Sequence, residues 1–542
     1  MLHLPEKLET TVPRLLPLTV ALTLSLGLIT SSQAQNSSLP DMGSSAAELL
    51  SPEQEAEYGA YTLYQLRNYG YVLDDPLLDA WLQVMGHRLG ASSDRPEQPF
   101  TFFLMKDRQI NAFATFGGYI GINAGLILTA QAEDEVAGVL AHEISHVTQR
   151  HILRSVERSQ KDQLPILLAM LAVVVAAQQS NSNSSDDAVQ AAVVGGQALI
   201  AQRQINFTRS SEAEADRIGI QTLHRSQYRT GAMADFFERM ATVSRGNSGG
   251  YQVPDYLRSH PVTTTRISEA RERAARIDKE AKPFATRSTS RPNPLIPSQF
   301  NLNVQNSGNE PLRQIDWARE RLRMMTAAST QIAVNEFKQM TTGISAKKLT
   351  DPERYGYALA LMKGGSPGAS EAILEQLKSQ YPDNLWIEVA YAENAHYAKN
   401  NSESQLRFES LLKKYPQHLA VSLTYARTLG ETGSAEAGRR AQTVLRPLLA
   451  QSFDDPLFQK SYGRASELAG DVDRASEAYA EAAYLNGRPE DALKQLDALL
   501  KKENIDYVQR ARVEARMAAI TPEVLEMRRQ GVKPSQQPPD RS

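Results

Sequence analysis

Downstream of Thr129, the apolar residues Val136, Val139, Leu140, Ile144 and Val147 recur at steps of three and four, the stripe of a helix packed on a core. Thr129 reads as its N-cap, and Glu133, Asp134 and Glu135 suit the positive end of the helix dipole. Upstream, "FTFFLMKD" reads as a strand and "NAFATFGGYIGINAGLI" as two short extended runs around Gly117-Gly118, hence a hairpin. Farther on, "SSEAEADRIGIQTL" has the marks of a second helix, with Ile218 and Leu223 apolar and Ala213 and Ala215 small enough for close packing.

The pattern changes near Ala281. "AKPFATRSTSRPNPLIPSQFN" has no sustained period and is rich in Pro, Ser and Arg, which marks a linker. Beyond it, helical patterns alternate with short breakers. "YPDN" at Tyr381-Pro382 recurs as "YPQH" at Tyr415-Pro416, the 34-residue spacing of tetratricopeptide repeats. Ala475 with Tyr479, and Ala492 with Leu496, give the small-then-large pattern of a repeat's second helix, while Asp351-Pro352 and Asp455-Pro456 punctuate further helices. Such repeats stack into a superhelix that docks partners and has no chemistry of its own.

Length and charge add bounds. At 542 residues the chain exceeds what one core usually organises. A formal net charge of −3 creates no field that would gather nucleic acid, so none is expected as a partner. The start is more informative: Lys7 and Arg14 precede an apolar run from Leu15 to Thr30 and the small-residue pattern Ser32-Gln33-Ala34. This predicts a secretory signal cleaved after Ala34 in preference to a membrane anchor, because the run is shorter than the ~20 residues of a span. The expected division is therefore signal peptide 1–34, a catalytic domain 35–280, a linker 281–310, a repeat domain 311–520 and a disordered polar tail 521–542. With no cysteine in the chain, any metal must be held by imidazoles and carboxylates.

The helix after Thr129 carries "LAHEISHVTQRH". His142 and His146 are one turn apart and share a face, so two imidazole nitrogens can reach one ion. Glu143 lies near the apolar stripe, where an unpartnered carboxylate is costly unless a water activated by the ion serves it. This is the zinc-peptidase motif, with the glutamate as general base. His151 follows nine residues after His142, on the opposite face of a continuous helix, and is expected to be solvated. A third ligand should come from the second helix. There Glu212 and Asp216 share a face, one able to ligate and the other to orient a ligating histidine, while Glu214 points elsewhere.

"HEISH", the downstream "EAEAD" and "SHPVTTTRI", in that order, resemble the zinc metallopeptidase family that includes the heat-shock protease HtpX and the CAAX prenyl protease. The resemblance implies an α+β zincin-like metallopeptidase domain, mostly helical with a small β-sheet, followed here by an all-α tetratricopeptide-repeat superhelix. It implies one Zn2+ per chain on His142, His146 and Glu212, with Glu143 as base and Asp216 orienting a ligand. His260 and Arg266 match further positions near the site. An imidazole at His260 would either stabilise the oxyanion or fill the open zinc position and silence the enzyme.

The similarity of "NAF…GGYI" favours Asn111, Ala112, Phe113 and Ala114 as an edge strand that pairs with extended substrate. Leu164 to Ala177 is apolar all round; it is a buried helix, a flap over the cleft or a peripheral membrane contact. Resemblance further implies a periplasmic protease and chaperone whose clients are misassembled outer-membrane β-barrel proteins and whose partner is their assembly machinery. The competing expectation is a chaperone-like adaptor with a locked or vestigial metal site.

Overall fold

Helix α1, Pro52–Asn68, is set by its start: the Ser51 hydroxyl accepts from Gln54 N, the Gln54 side chain reaches back to Ser51 N, and proline opens the first turn. A two-residue strand β1, Val72–Leu73, leads to α2, Pro76–Gly90, whose N-cap Asp75 accepts from Leu78 N. The computed structural model describes residues 49–159, 161, 166, 185–246, 255–280, 314–342, 347–502 and 505–529. All of them belong to the unit Ser45–Ser542. The signal sequence, Leu164 to Ala177 apart from Ile166, the linker and the last tail residues lie outside the described residues.

Strands β2, Thr101–Met105, β3, Ala112–Ala114, and β4, Tyr119–Asn123, complete a four-stranded sheet of order β1-β2-β4-β3. β3 and β4 form the expected antiparallel hairpin, whereas β2 and β4 run parallel. β1 was not expected, because two residues are too few to show an alternation. The hairpin turn requires glycine: Gly117 has φ 67°, and a Cβ there would meet Ala56 Cα of α1 at 2.5 Å.

After the short α3, Ala124–Thr129, comes the motif helix α4, Glu133–Thr148. Thr129 does not cap it. Its hydroxyl donates to Gly125 O inside α3, and Ala132 holds the N-cap position of α4 without a side-chain bond. The acidic first turn serves the exposed amides instead, with the Glu135 carboxylate accepting from Gln131 N at 2.9 Å. Val136, Val139, Leu140 and Ile144 are buried as the stripe predicts. α4 packs along α5, Ser185–Arg225, and against α6, Ala232–Gly246. The approach to α5 is close at Gly219, where a Cβ would lie 3.2 Å from the Ala141 backbone. α7, Asp255–Ser259, and α8, Thr264–Glu280, close this part of the chain.

The remaining chain is helical: α9 Gln314–Met325, α10 Thr330–Met340, α11 Asp351–Lys363, α12 Pro367–Gln380, α13 Leu385–Tyr397, α14 Asn401–Lys414, α15 Leu419–Thr432, α16 Ala435–Leu445, α17 Pro456–Leu468, α18 Val472–Leu485, α19 Pro489–Leu500 and α20 Tyr507–Arg529. Tyr381 and Tyr415, the repeated tyrosines, take the same place, each at the C-cap of a helix. From α11 onward each helix packs on the next, and α11 with α13, α13 with α15 and α15 with α17 also touch. The expected disordered tail needs correction: α20 continues through Pro522 to Arg529. Val513, Ile520 and Val524 are buried against Leu496 and Leu499 of α19, an apolar stripe that the polar composition of the tail conceals. No helix among the described residues is long and apolar enough to cross a membrane.

A buried ion pair joins the two stretches. Arg321 of α9 donates from Nε and Nη2 to both oxygens of Asp75, at 2.8 and 2.7 Å, and neither side chain is more than 2% exposed. Burial pushes the Asp75 carboxyl up, but the Arg321 guanidinium outweighs it and holds the carboxyl below its usual range. Replacing Arg321 by methionine leaves this carboxylate buried without its cation, at a loss of about 3–5 kcal/mol in urea denaturation. Because the native state depresses this pKa, the stabilisation of the parent is complete above about pH 4 and declines as pH falls through the native value. Denaturation midpoints of the parent and Arg321→Met proteins should therefore converge in acid.

Candidate metal centre

The α4–α5 contact carries His142 and His146 to Glu212, and the loop after α7 brings His260 to the same point. His142 Nε2 lies 3.0 Å from His146 Nε2 and 3.4 Å from His260 Nδ1. Glu212 Oε1 accepts from His260 Nδ1 at 2.9 Å and lies 3.4 Å from His146 Nε2, and Glu212 Oε2 is 3.4 Å from His142 Nε2. Taking one ligand atom from each, the four residues fall within 4.8 Å of one another. His142, Glu212 and His260 are buried.

Three imidazole nitrogens and a carboxylate converging in a largely buried cluster suit a divalent cation, a donor set of nitrogen and oxygen of the kind transition metals accept. A second observation agrees. Glu143 Oε1, beside the cluster and 3.7 Å from His260 Nε2, is buried with no hydrogen-bond partner, the position of a carboxylate waiting for a water or substrate.

The carboxylates behind the cluster are organised by one cation. Arg266, at the start of α8, donates from Nε and Nη2 to the two oxygens of Asp216, both at 2.8 Å, and its Nη1 lies 2.8 Å from Glu212 Oε2. Asp216 Oδ1 meets His142 Nδ1 at 3.0 Å, an ion-pair contact rather than an aligned hydrogen bond. Arg266 also lies over the Phe237 ring, 4.8 Å from its centroid.

The electrostatics follow from burial against these partners. Desolvation opposes a charge on His142, but Asp216 and Glu212 outweigh it and raise its pKa to about 10. Burial, reinforced by His142, holds His146 neutral. Glu212 and Asp216 are kept ionised despite burial, Glu212 by His142 and His260 and Asp216 by His142 and Arg266. Tyr256 stacks on His260 with ring centroids 4.7 Å apart; its hydroxyl is buried without a partner, and burial and the nearby Glu143 push its pKa up.

The structure thus brings His142, His146, Glu143, Glu212, Asp216, His260 and Arg266 together. Asn111 to Ala114 lie on and beside β3, the edge of the sheet, which packs against α4. His151 overturns its expectation: it is 4% exposed, not solvated. α4 ends at Thr148, Arg150 takes a left-handed φ of 52°, and a new helical stretch, residues 151–159, begins. The 3.6-residue extrapolation therefore fails beyond Thr148. His151 returns to within 3.0 Å of His146 Nδ1 and contacts Glu214, whose pKa is lowered to about 2 by the hydrogen bond from His151 and by Arg154. No periodicity in the sequence signals that break. Tyr256 was also missed, and only its place four residues before His260 hinted at it.

Residues 76–274 match the model of peptidase family M48. The chain is 30% identical over 484 residues to the beta-barrel assembly-enhancing protease of Yersinia pestis, across 88% of this chain and 90% of that protein. The chain belongs to peptidase family M48. A Vibrio cholerae protein provisionally given the same name is 43% identical over 236 residues, 44% of this chain and 47% of that protein, so the match spans about half of that relative. The mitochondrial metalloendopeptidase OMA1 of Saccharomyces cerevisiae is 30% identical over 158 residues, 29% of this chain and 41% of that one. As an M48 peptidase the chain is a metallopeptidase, and the cluster around His142 is where its metal fits.

Asp216 touches His142 on the nitrogen turned away from the cluster. Asp216→Ala should lower metal affinity about 10–100-fold, read by competition with a chromophoric chelator.

Proposed function

We propose that this M48 peptidase is an exported zinc endopeptidase that cuts misassembled outer-membrane β-barrel proteins, delivered by tetratricopeptide repeats within its helical half, which also give it chaperone activity. The observation that carries the catalytic part is the unpartnered, buried Glu143 Oε1 beside the four-group cluster. Two histidines, a glutamate and an exchangeable position are the donor set most often filled by zinc. The client class and the assembly machinery as partner rest on the relatives named beta-barrel assembly-enhancing proteases, and the periplasmic location rests on the signal-like start of the sequence.

In this reading His142, His146 and Glu212 hold the ion, which when bound supplies Lewis acidity to the scissile carbonyl and lowers the pKa of water. Glu143 takes the proton of the attacking water at Oε1 and returns it to the leaving amine. Asp216 and Arg266 keep His142 and Glu212 in place. β3, with Asn111, Ala112, Phe113 and Ala114, offers its free edge to an extended segment of the client, which fixes the carbonyl against the site.

Glu143→Gln should keep its bound metal and lose about 10²–10⁴-fold in the cleavage rate of an unfolded test protein, while a chelator abolishes cleavage by the parent. Equal rates in the two proteins, or cleavage that survives the chelator, would refute this assignment.

A second reading has its own observation. His260 Nδ1 sits among the ligands, 2.9 Å from Glu212 and 3.4 Å from His142, so it would fill the position that substrate and water need. The protein would then act mainly as an assembly adaptor with a locked site. His260→Ala should raise cleavage several-fold if the imidazole closes the site. A loss of roughly 10²–10³-fold would instead mark it as an oxyanion donor.

A further inference from the structure

His151 and Glu214 lie outside the cluster of four, yet an unbroken line of hydrogen bonds joins them to it. His146 turns Nε2 to His142 and Glu212 and presents Nδ1 to His151 Nδ1 at 3.0 Å. The other His151 nitrogen, Nε2, lies 3.1 Å from Glu214 Oε2, which also accepts from Arg154 Nη1 at 3.0 Å.

The direction of donation along this line is fixed by its two ends together, the Glu214 carboxylate and, on the metal-centre reading, the His146 Nε2 lone pair. An ionised carboxylate only accepts, so His151 Nε2 carries a proton and donates it to Glu214. A metal on His146 Nε2 needs the lone pair of that nitrogen, so the ring proton of His146 sits on Nδ1 and Nδ1 is the donor between the two rings. A neutral His146 protonated on Nδ1 has its free lone pair on Nε2, directed into the cluster. The opposite order, with His151 charged and donating at both nitrogens, would leave the His146 proton on Nε2, where no metal could bind.

We propose that Glu214 and His151 form a two-residue relay that sets the tautomer and the ring orientation of His146 as a metal ligand. It is the counterpart of the direct contact between Asp216 and His142. Both are positioning residues, and the proposal rests on reading the cluster as a metal centre. The relay is built into the backbone. Arg150 adopts a left-handed conformation that L-residues disfavour, and its side chain is held by the Glu55 carboxylate and by Leu50 O. That turn is what returns His151 to His146 instead of letting α4 carry it to the far side.

The test uses the full mature chain and Zn2+ as probe, with affinity measured by chelator competition and the denaturation midpoint measured after the metal is stripped. His151→Phe keeps the ring volume without nitrogens, Glu214→Ala removes the terminal acceptor, and His151→Gln restores one acceptor and one donor. The expected result is a loss of about 10–100-fold in Zn2+ affinity for His151→Phe and for Glu214→Ala with metal-free midpoints unmoved, and recovery of most of the affinity in His151→Gln. Unchanged affinity in the first two variants overturns the relay. So does a loss that comes only with a lowered metal-free midpoint and is not recovered in His151→Gln, since that is a packing effect. A parent chain that takes up no Zn2+ overturns the metal-centre reading, and the relay with it.

Discussion

Arg266 is the cation on which the centre depends. Glu212 and Asp216 are both about 95% removed from solvent and stand one turn apart on α5, and two ionised carboxylates so placed would repel each other and lose their hydration. One guanidinium answers both, with its fork on Asp216 and its remaining amino group on Glu212. Its planar geometry makes this possible, and a lysine ammonium would not reach both in fixed directions. With the carboxylates held, the imidazoles they touch are held too, and the lone pairs of the cluster converge without needing loops to order on binding. Phe237 seals the same region, with Arg266 over its face and His142 against its edge.

How far this was legible in the sequence depends on the range of each contact. His142, Glu143 and His146 are fixed by helical spacing alone, and the helix that carries them is written in the apolar stripe from Val136 to Val147. Glu212 and Asp216 could be grouped for the same reason. The motif "SHPVTTTRI" drew attention to His260 and Arg266, but nothing in one sequence says that the Arg266 side chain bridges two carboxylates fifty residues away. His151 was misplaced because extrapolation assumed a continuous helix, and a single residue in left-handed conformation ended it. The same limit hid β1, which exists only through its pairing with β2, and the end of α20, whose buried face is visible only once α19 is there to receive it.

The helical half is not a separate body attached by the linker alone. α15 packs on α2, and α2 in turn packs on α4, the helix that carries the two histidines. Arg319 donates to Ala130 O at 2.8 Å, in the turn that starts α4, and Arg108, between β2 and β3, is bound to Thr326 and Glu336. The Asp75–Arg321 pair closes this contact, and Asp75 also caps α2, so one carboxylate both starts a helix behind the metal centre and receives the helical half of the chain.

Such an arrangement constrains how the two halves can influence each other. Interiors packed at crystal-like density transmit displacements instead of absorbing them, and α9 reaches the start of α4 through the hydrogen bond from Arg319 to Ala130 O. A partner that shifted α9 by even a fraction of an ångström would act on the start of the motif helix, not on its ligands directly. The ligands themselves sit one to three turns further on, fixed from the other side by α5 and Arg266. His260 differs from the other two imidazoles in its support: it stands on a short loop and is tied to the centre through Glu212, His142 and the stacked Tyr256 ring, while His142 and His146 are held by the helix and by their partners on Nδ1.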